Sequence, residues 1–150
     1  MNILFLDIDG VLNTENAIML NHYYRKDENF AFDENCVDYL NYICKKYDFK
    51  IVVSSTWRRS GLDNIRKQLY DNGVKGDVID TTTFEHLENR GAEIQKWLDE
   101  HESEISNYII LDDDTDMLET QEKHFVNCNF VYGLTCIEIY QIEEIMKENL

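Results

Sequence analysis

The sequence predicts an α/β fold, a parallel sheet with helices on both faces, and three observations carry that reading. Short apolar runs alternate with helical patterns along the chain. Runs such as Ile3-Leu4-Phe5-Leu6 and Tyr108-Ile109-Ile110-Leu111 are apolar almost throughout, as strands covered on both faces must be. The 150 residues contain no proline, no low-complexity tract and no internal repeat, so one domain spanning 1–150 is expected. The strands read as Asn2–Asp7, Lys50–Ser54, Asp77–Asp80, Asn107–Leu111 and Phe125–Asn127. One helix is read from Val37, Leu40, Ile43, Cys44 and Tyr47, a second from Leu62, Ile65 and Leu69, a third from Ile94, Trp97 and Leu98. The last opens with a capping box, Thr135 with Glu138 three residues on, ahead of Ile139, Ile142 and Met146.

Composition narrows the function classes. Fourteen basic residues against 30 acidic ones give a net charge of −16, yet 43% hydrophobic and 12% aromatic content is too apolar for a disordered chain. No run approaches the roughly 20 consecutive apolar residues of a membrane span. No basic segment precedes the first apolar run. A cytoplasmic protein without membrane association is expected. So acidic a surface repels polyphosphate backbones, so non-specific nucleic-acid binding is not expected, while a local basic pocket or a bound divalent cation is still allowed. The four cysteines form no CxxC pair and read as reduced thiols, and no HExxH occurs, so a metal site here is built from oxygen ligands.

In wound parallel sheets the ligand lies beyond the carboxyl ends of the strands. There the sequence places Asp7-Ile8-Asp9-Gly10, Ser54-Ser55-Thr56 and Asp112-Asp113-Asp114, with Asp116 close behind. Carboxylates converging from two strands repel one another and raise their own pKa values. A hard divalent cation relieves that repulsion, and Mg²⁺ suits carboxylate, water and phosphate ligands. Gly10 allows close backbone approach, and a serine hydroxyl adds a donor. The bland reading of any one acidic loop is a solvated turn, but three such motifs at successive strand ends argue against coincidence. A calcium loop starting at Asp112 is rejected, because Met117 stands where its glycine belongs and Lys123 where its bidentate glutamate belongs.

These residues carry a resemblance. DIDGVLN at 7–13, the strand closing in Ser54-Ser55, a basic residue within 90–96 and IILDDDTD at 109–116 resemble the four motifs of the haloacid dehalogenase (HAD) superfamily. SSTWR at 54–58, RGAEIQKWL at 90–98, LDDD at 111–114 and YGLT at 132–135 are similar to the small HAD domain of the multi-domain Swiss Army Knife RNA-repair proteins and related phosphatases. The resemblance implies a three-layer Rossmann-like fold with a minimal cap. It implies Asp7 as the nucleophile that forms an aspartyl-phosphate, and Asp9 as acid and base, with its backbone carbonyl on Mg²⁺. Ser54 is implied to bond the phosphoryl group, or Ser55 if the strand register differs by one. Asp112 is implied as a further metal ligand, supported by Asp113 or Asp116.

For the basic residue, helix geometry decides. Each residue rises about 1.5 Å, which carries Lys96 roughly 9 Å away from the active edge, so Arg90 is expected to steady the phosphoryl group. Arg58 is expected to reach substrate, Asn13 to contact substrate or cap a turn, and Trp57 to pack. An acidic residue at position 9 implies hydrolysis of a phosphate ester, since dehalogenases of this superfamily lack one there and its cation pumps carry threonine. Residues 14–32 allow only a short flap, so the site is expected to be open, suiting a bulky substrate or a polymer end; the net charge pulls against nucleic acid. The expected activity is Mg²⁺-dependent hydrolysis of a nucleotide, another small phosphate ester or a nucleic-acid terminal phosphate. The alternative is a non-catalytic phosphate-binding or interaction module, which predicts damage at Asp7, Asp9, Asp112 or the basic residue; all are present.

Overall fold

Strand β1, Asn2–Leu6, is the centre of the molecule because its side chains from Ile3 to Leu6 have no exposed surface and must be covered on both sides. In the computed structural model, which describes residues 1–25, 30–85 and 87–148, it is flanked by β2 (Phe49–Val53) and β4 (Asn107–Asp112), with β3 (Asp77–Thr81) and β5 (Phe125–Asn127) outside them. The five strands run parallel in the order β3-β2-β1-β4-β5. The expected strands and the α/β class are therefore present, with ends shifted by a residue or so.

Alternation along the strands separates two apolar layers. Leu4 and Leu6 face a core shared with α2 (Glu34–Tyr47), α3 (Leu62–Asp71) and α5 (Cys136–Glu148). Ile3 and Phe5 face the other way, onto Ile94, Trp97 and Leu98 of α4 (Arg90–His101). The Trp97 ring meets Phe5 edge-on at 5.5 Å, and its indole N–H donates to Asp80 at 2.7 Å, tying α4 to β3. The capping box of α5 forms as expected: the Thr135 N–H and hydroxyl both donate to Glu138, and the Ile137 N–H donates to Thr135. Cys36, Cys44 and Cys128 are buried free thiols, Cys136 is exposed, and burial pushes Cys36 and Cys44 up to about 12.

The chain turns from β1 through β2 to β3 on one side, then returns past β1 to β4. This reversal between β1 and β4 makes their carboxyl ends the crevice of the sheet. Two segments border it. Residues 82–89 join β3 to α4, and the segment after β1 carries a short helix α1 (Glu15–Leu20) and one further turn, Asn21–Arg25. Neither had a periodic signal long enough to announce a helix. Part of the expected flap, residues 26–29, lies outside the described residues. Its base is clasped where the Asn21 amide and the Ala31 backbone exchange two hydrogen bonds. Among the described residues no helix is long and apolar enough to cross a membrane.

Leu40 on α2 has no exposed surface within the larger core. Leu40→Ala should lower unfolding free energy by about 2–5 kcal/mol in urea titrations, the range for buried leucine truncation.

Candidate active site

β1 ends at Leu6 and β4 at Asp112, in neighbouring register, so Asp7 and Asp112 leave the sheet side by side. The Asp7 N–H donates to the Leu111 carbonyl at 2.9 Å, continuing the ladder one step and fixing the carboxylate's starting point. One oxygen each of Asp7, Asp112 and Asp113 lie within 4.8 Å of one another. Asp113 reaches that position because residue 10 has no side chain. A Cβ on Gly10 would come within 2.4 Å of the Asp113 carboxyl carbon, and Gly10 sits at φ +78. The Gly10 N–H donates to the Asn13 carbonyl, and the missing Cβ leaves room for the Asp113 carboxyl.

The cation at this edge is Arg90. Its Nη1 lies 2.9 Å from Asp112 Oδ2 and 3.3 Å from Asp7 Oδ1. Lys96 pairs with Glu100 on the exposed side of α4. Several contacts pin the start of α4. The Asn89 side chain accepts from the Ala92 N–H, and Asp116 accepts from the Arg90 N–H at 3.0 Å. Asp116 is thus engaged at the helix start, while Asp113 joins the carboxylate group. Gly91 packs so closely on the loop after β4 that a Cβ would meet the Leu118 nitrogen at 2.5 Å. Buried Gln121 bridges the same junction, accepting from the Leu118 N–H and donating to the Gly91 carbonyl.

Arg58 departs from expectation. It is buried rather than facing substrate, with its donors spent on the carbonyls of Ser54, Ser55 and Thr83 and on Glu93 at 2.7 Å. Glu93, one turn along α4, also lies 3.9 Å from Arg90. Burial lowers the pKa of Arg58 against the pull of Glu93. Burial alone would lower Arg90 too, but Asp112 and Asp7 outweigh it and raise it.

Two guanidinium groups thus face the four carboxylates of Asp7, Asp112, Asp113 and Glu93. With all four ionised the cluster would carry two negative charges in excess, the charge of one divalent cation. Asp112 is pushed up to about 8, first by burial and then by Asp7. Asp113 is pushed up to about 6, again by burial first, then by Asp7 and Asp114. Asp7 is raised by burial although Arg90 and Ser55 oppose the shift. Oxygen-only donors at this spacing fit a hard cation such as Mg²⁺.

Ser55 acts on the Asp7 carboxyl, opposing the rise in its pKa, and its hydroxyl accepts from the Trp57 N–H. The Ser54 hydroxyl is buried with no partner among the described residues. Both hydroxyls thus lie at the end of β2, Ser55 toward Trp57 and Ser54 buried beside it. Asp9 stands apart from the three clustered carboxylates. Its Oδ1 accepts from Asn13 at 2.7 Å and its Oδ2 from the Trp57 indole N–H at 3.0 Å. Asn13, expected to touch substrate or cap a turn, is buried and serves Asp9. Trp57 does pack, against Phe30 and Phe32, each at 5.6 Å, but it also carries a polar bond that no periodicity announces. Glu93 and Gln121 were likewise missed. Glu93 had one available signal, its position three residues after Arg90 on one helix face; Gln121 had none. A cavity of about 650 Å³ opens at the opposite edge of the sheet, by Asn41, Tyr42 and Lys50, far from these carboxylates.

A family model, the HAD domain in Swiss Army Knife RNA repair proteins, matches residues 3–138. Comparison with curated proteins and with solved structures finds no match. The match takes in all five strands and every residue of the site just described, and the chain belongs to this HAD-domain family.

Proposed function

We propose that the protein is a Mg²⁺-dependent phosphomonoesterase of the cytoplasm that works through an aspartyl-phosphate on Asp7. The observation that carries this reading is the Asp7–Arg90–Asp112 arrangement at the sheet crevice, a recessed carboxylate beside a fixed cation and an unbalanced anionic cluster. Asp7, Asp112 and Asp113 would hold the cation, with the Asp9 carbonyl as the resemblance implies. Bound there, Mg²⁺ supplies positive charge against the phosphoryl oxygens.

The chain's own groups do the rest. An Asp7 oxygen attacks phosphorus as the ester P–O bond breaks, and the leaving oxygen takes its proton from Asp9. Water then attacks the same phosphorus while Asp9 accepts its proton, which returns the Asp7 carboxylate and releases phosphate. Arg90 and the Ser55 hydroxyl face the phosphoryl group and favour the charge that builds on it. The substrate is a nucleotide, another small phosphate ester or a nucleic-acid terminal phosphate. The RNA-repair context in the family's name supports the last, and the net charge of −16 supports a short or terminal ligand over a long duplex.

Hydrolysis of a panel from p-nitrophenyl phosphate through nucleotides to 3′- and 5′-phosphorylated oligonucleotides should vanish in EDTA and return with Mg²⁺. Turnover unaffected by thorough chelation contradicts the metal dependence. Arg90→Ala should lower kcat by about 10²-fold or more, as for loss of one preorganised transition-state donor. Lys96→Ala should stay near wild type, and the reverse ranking would move the cationic role down the helix.

The raised carboxyl groups give a pH signature. Asp112 and Asp113 bind protons more tightly folded than unfolded, so between about pH 4 and about pH 8 the native state carries the extra protons and stability falls as pH rises. Mg²⁺ binds the deprotonated site, so it should raise Tm more near pH 8 than near pH 5. An equal rise at both, in scanning calorimetry, would separate the cation from these carboxylates.

A further inference from the structure

We infer that Trp57 is a positioning residue, its indole N–H holding the Asp9 carboxyl at a fixed distance from Asp7. The inference rests on the acid–base reading of Asp9. One short turn, Thr56–Ser60 with Ser55 as its cap, touches both aspartates. The Trp57 indole N–H donates to Asp9 and its backbone N–H donates to the Ser55 hydroxyl, while Ser55 in turn acts on the Asp7 carboxyl.

The turn itself is held from three sides. Arg58 ties it to Ser54, Ser55, Thr83 and Glu93. Phe30 and Phe32, from the far end of the segment after β1, meet the indole ring. Asn13 also bonds Asp9, but it lies four residues away within the same turn and moves with it. Trp57 is 48 residues distant, on a different strand end, so its bond alone sets Asp9 against a separate part of the fold. A carboxyl that exchanges a proton with the leaving oxygen must stay within hydrogen-bond reach of it, and small misplacements there are costly.

The test is Trp57→Phe, which keeps a ring and removes the N–H. With an alkyl phosphate, whose leaving oxygen needs the proton, kcat should fall about tenfold or more with KM little changed. With p-nitrophenyl phosphate, measured at the phosphorylation step, the loss should be small. In an Asp9→Asn background the same substitution should cost nothing further, because its effect runs through Asp9. Equal losses for both esters, or losses that add in the double variant, would overturn the inference.

Should Trp57→Phe fold poorly, the intact chain still answers through its two indole N–H resonances. Asp9→Asn should move the Trp57 signal, and Asp80→Asn should move the Trp97 signal, since each carboxylate holds one indole. A Trp57 signal unmoved by Asp9→Asn overturns the contact. If that signal moves while Asp9→Asn slows all leaving groups alike, the contact is real but the acid–base role of Asp9, and with it the positioning role, is wrong.

Discussion

The Arg90 guanidinium between Asp7 and Asp112 is the contact on which the site depends. Two carboxylates with almost no exposed surface cannot sit at adjacent strand ends without a counter-charge, and the cation seen to touch both is fixed at the first residue of α4. Much of the surrounding structure serves that placement. Asn89 and Asp116 satisfy the helix start, Gly91 lets the helix approach the loop after β4, and Gln121 closes the junction. Glu93 then links Arg90 to Arg58, and Arg58 links the helix to the turn that carries Ser55 and Trp57. Arg90 is thus joined through buried contacts to the residues around both Asp7 and Asp9.

One cation is not enough for the charge it faces. With all four carboxylates ionised, the cluster would hold two negative charges in excess at the crevice of a protein already at −16. Burial and the neighbouring carboxylates raise the pKa values of Asp112 and Asp113, so without a bound cation protons take up part of that excess. The environment of Asp9 is different: neutral donors, an amide and an indole, take both of its oxygens. Two aspartates two residues apart therefore meet unlike surroundings, one among charges and one among neutral dipoles. That difference is the physical basis for giving them different roles.

The sheet was legible because strands covered on both faces leave a plain mark: Ile3–Leu6 and Ile109–Leu111 are buried throughout. The strand-end rule also led to the right edge, and a rise of about 1.5 Å per residue separates Arg90 from Lys96. Side-chain direction in the turns was not legible. Arg58 lies where a substrate-facing arginine could stand, and only the position of Glu93 and three carbonyls turns it inward. That the missing Cβ of Gly10 makes room for Asp113 was likewise not legible, since the two residues lie on different strand ends. Ser54 and Ser55 differ by one residue of register at a strand end, where the ladder no longer fixes which face a side chain takes. Asn13 and Trp57 converge on Asp9 from two strand ends, a meeting that no single-chain periodicity encodes.

The central claim is that Asp7 becomes covalently phosphorylated. Its most direct test is rapid acid quench of the Mg²⁺-loaded protein with a ³²P-labelled activated phosphate ester, followed by peptide mapping of the label. The label should be acid-stable, lost in hydroxylamine, located on the peptide containing Asp7, and absent from Asp7→Asn. Label of equal amount in Asp7→Asn, or turnover in that variant at the wild-type rate, would contradict the assignment of Asp7 as nucleophile.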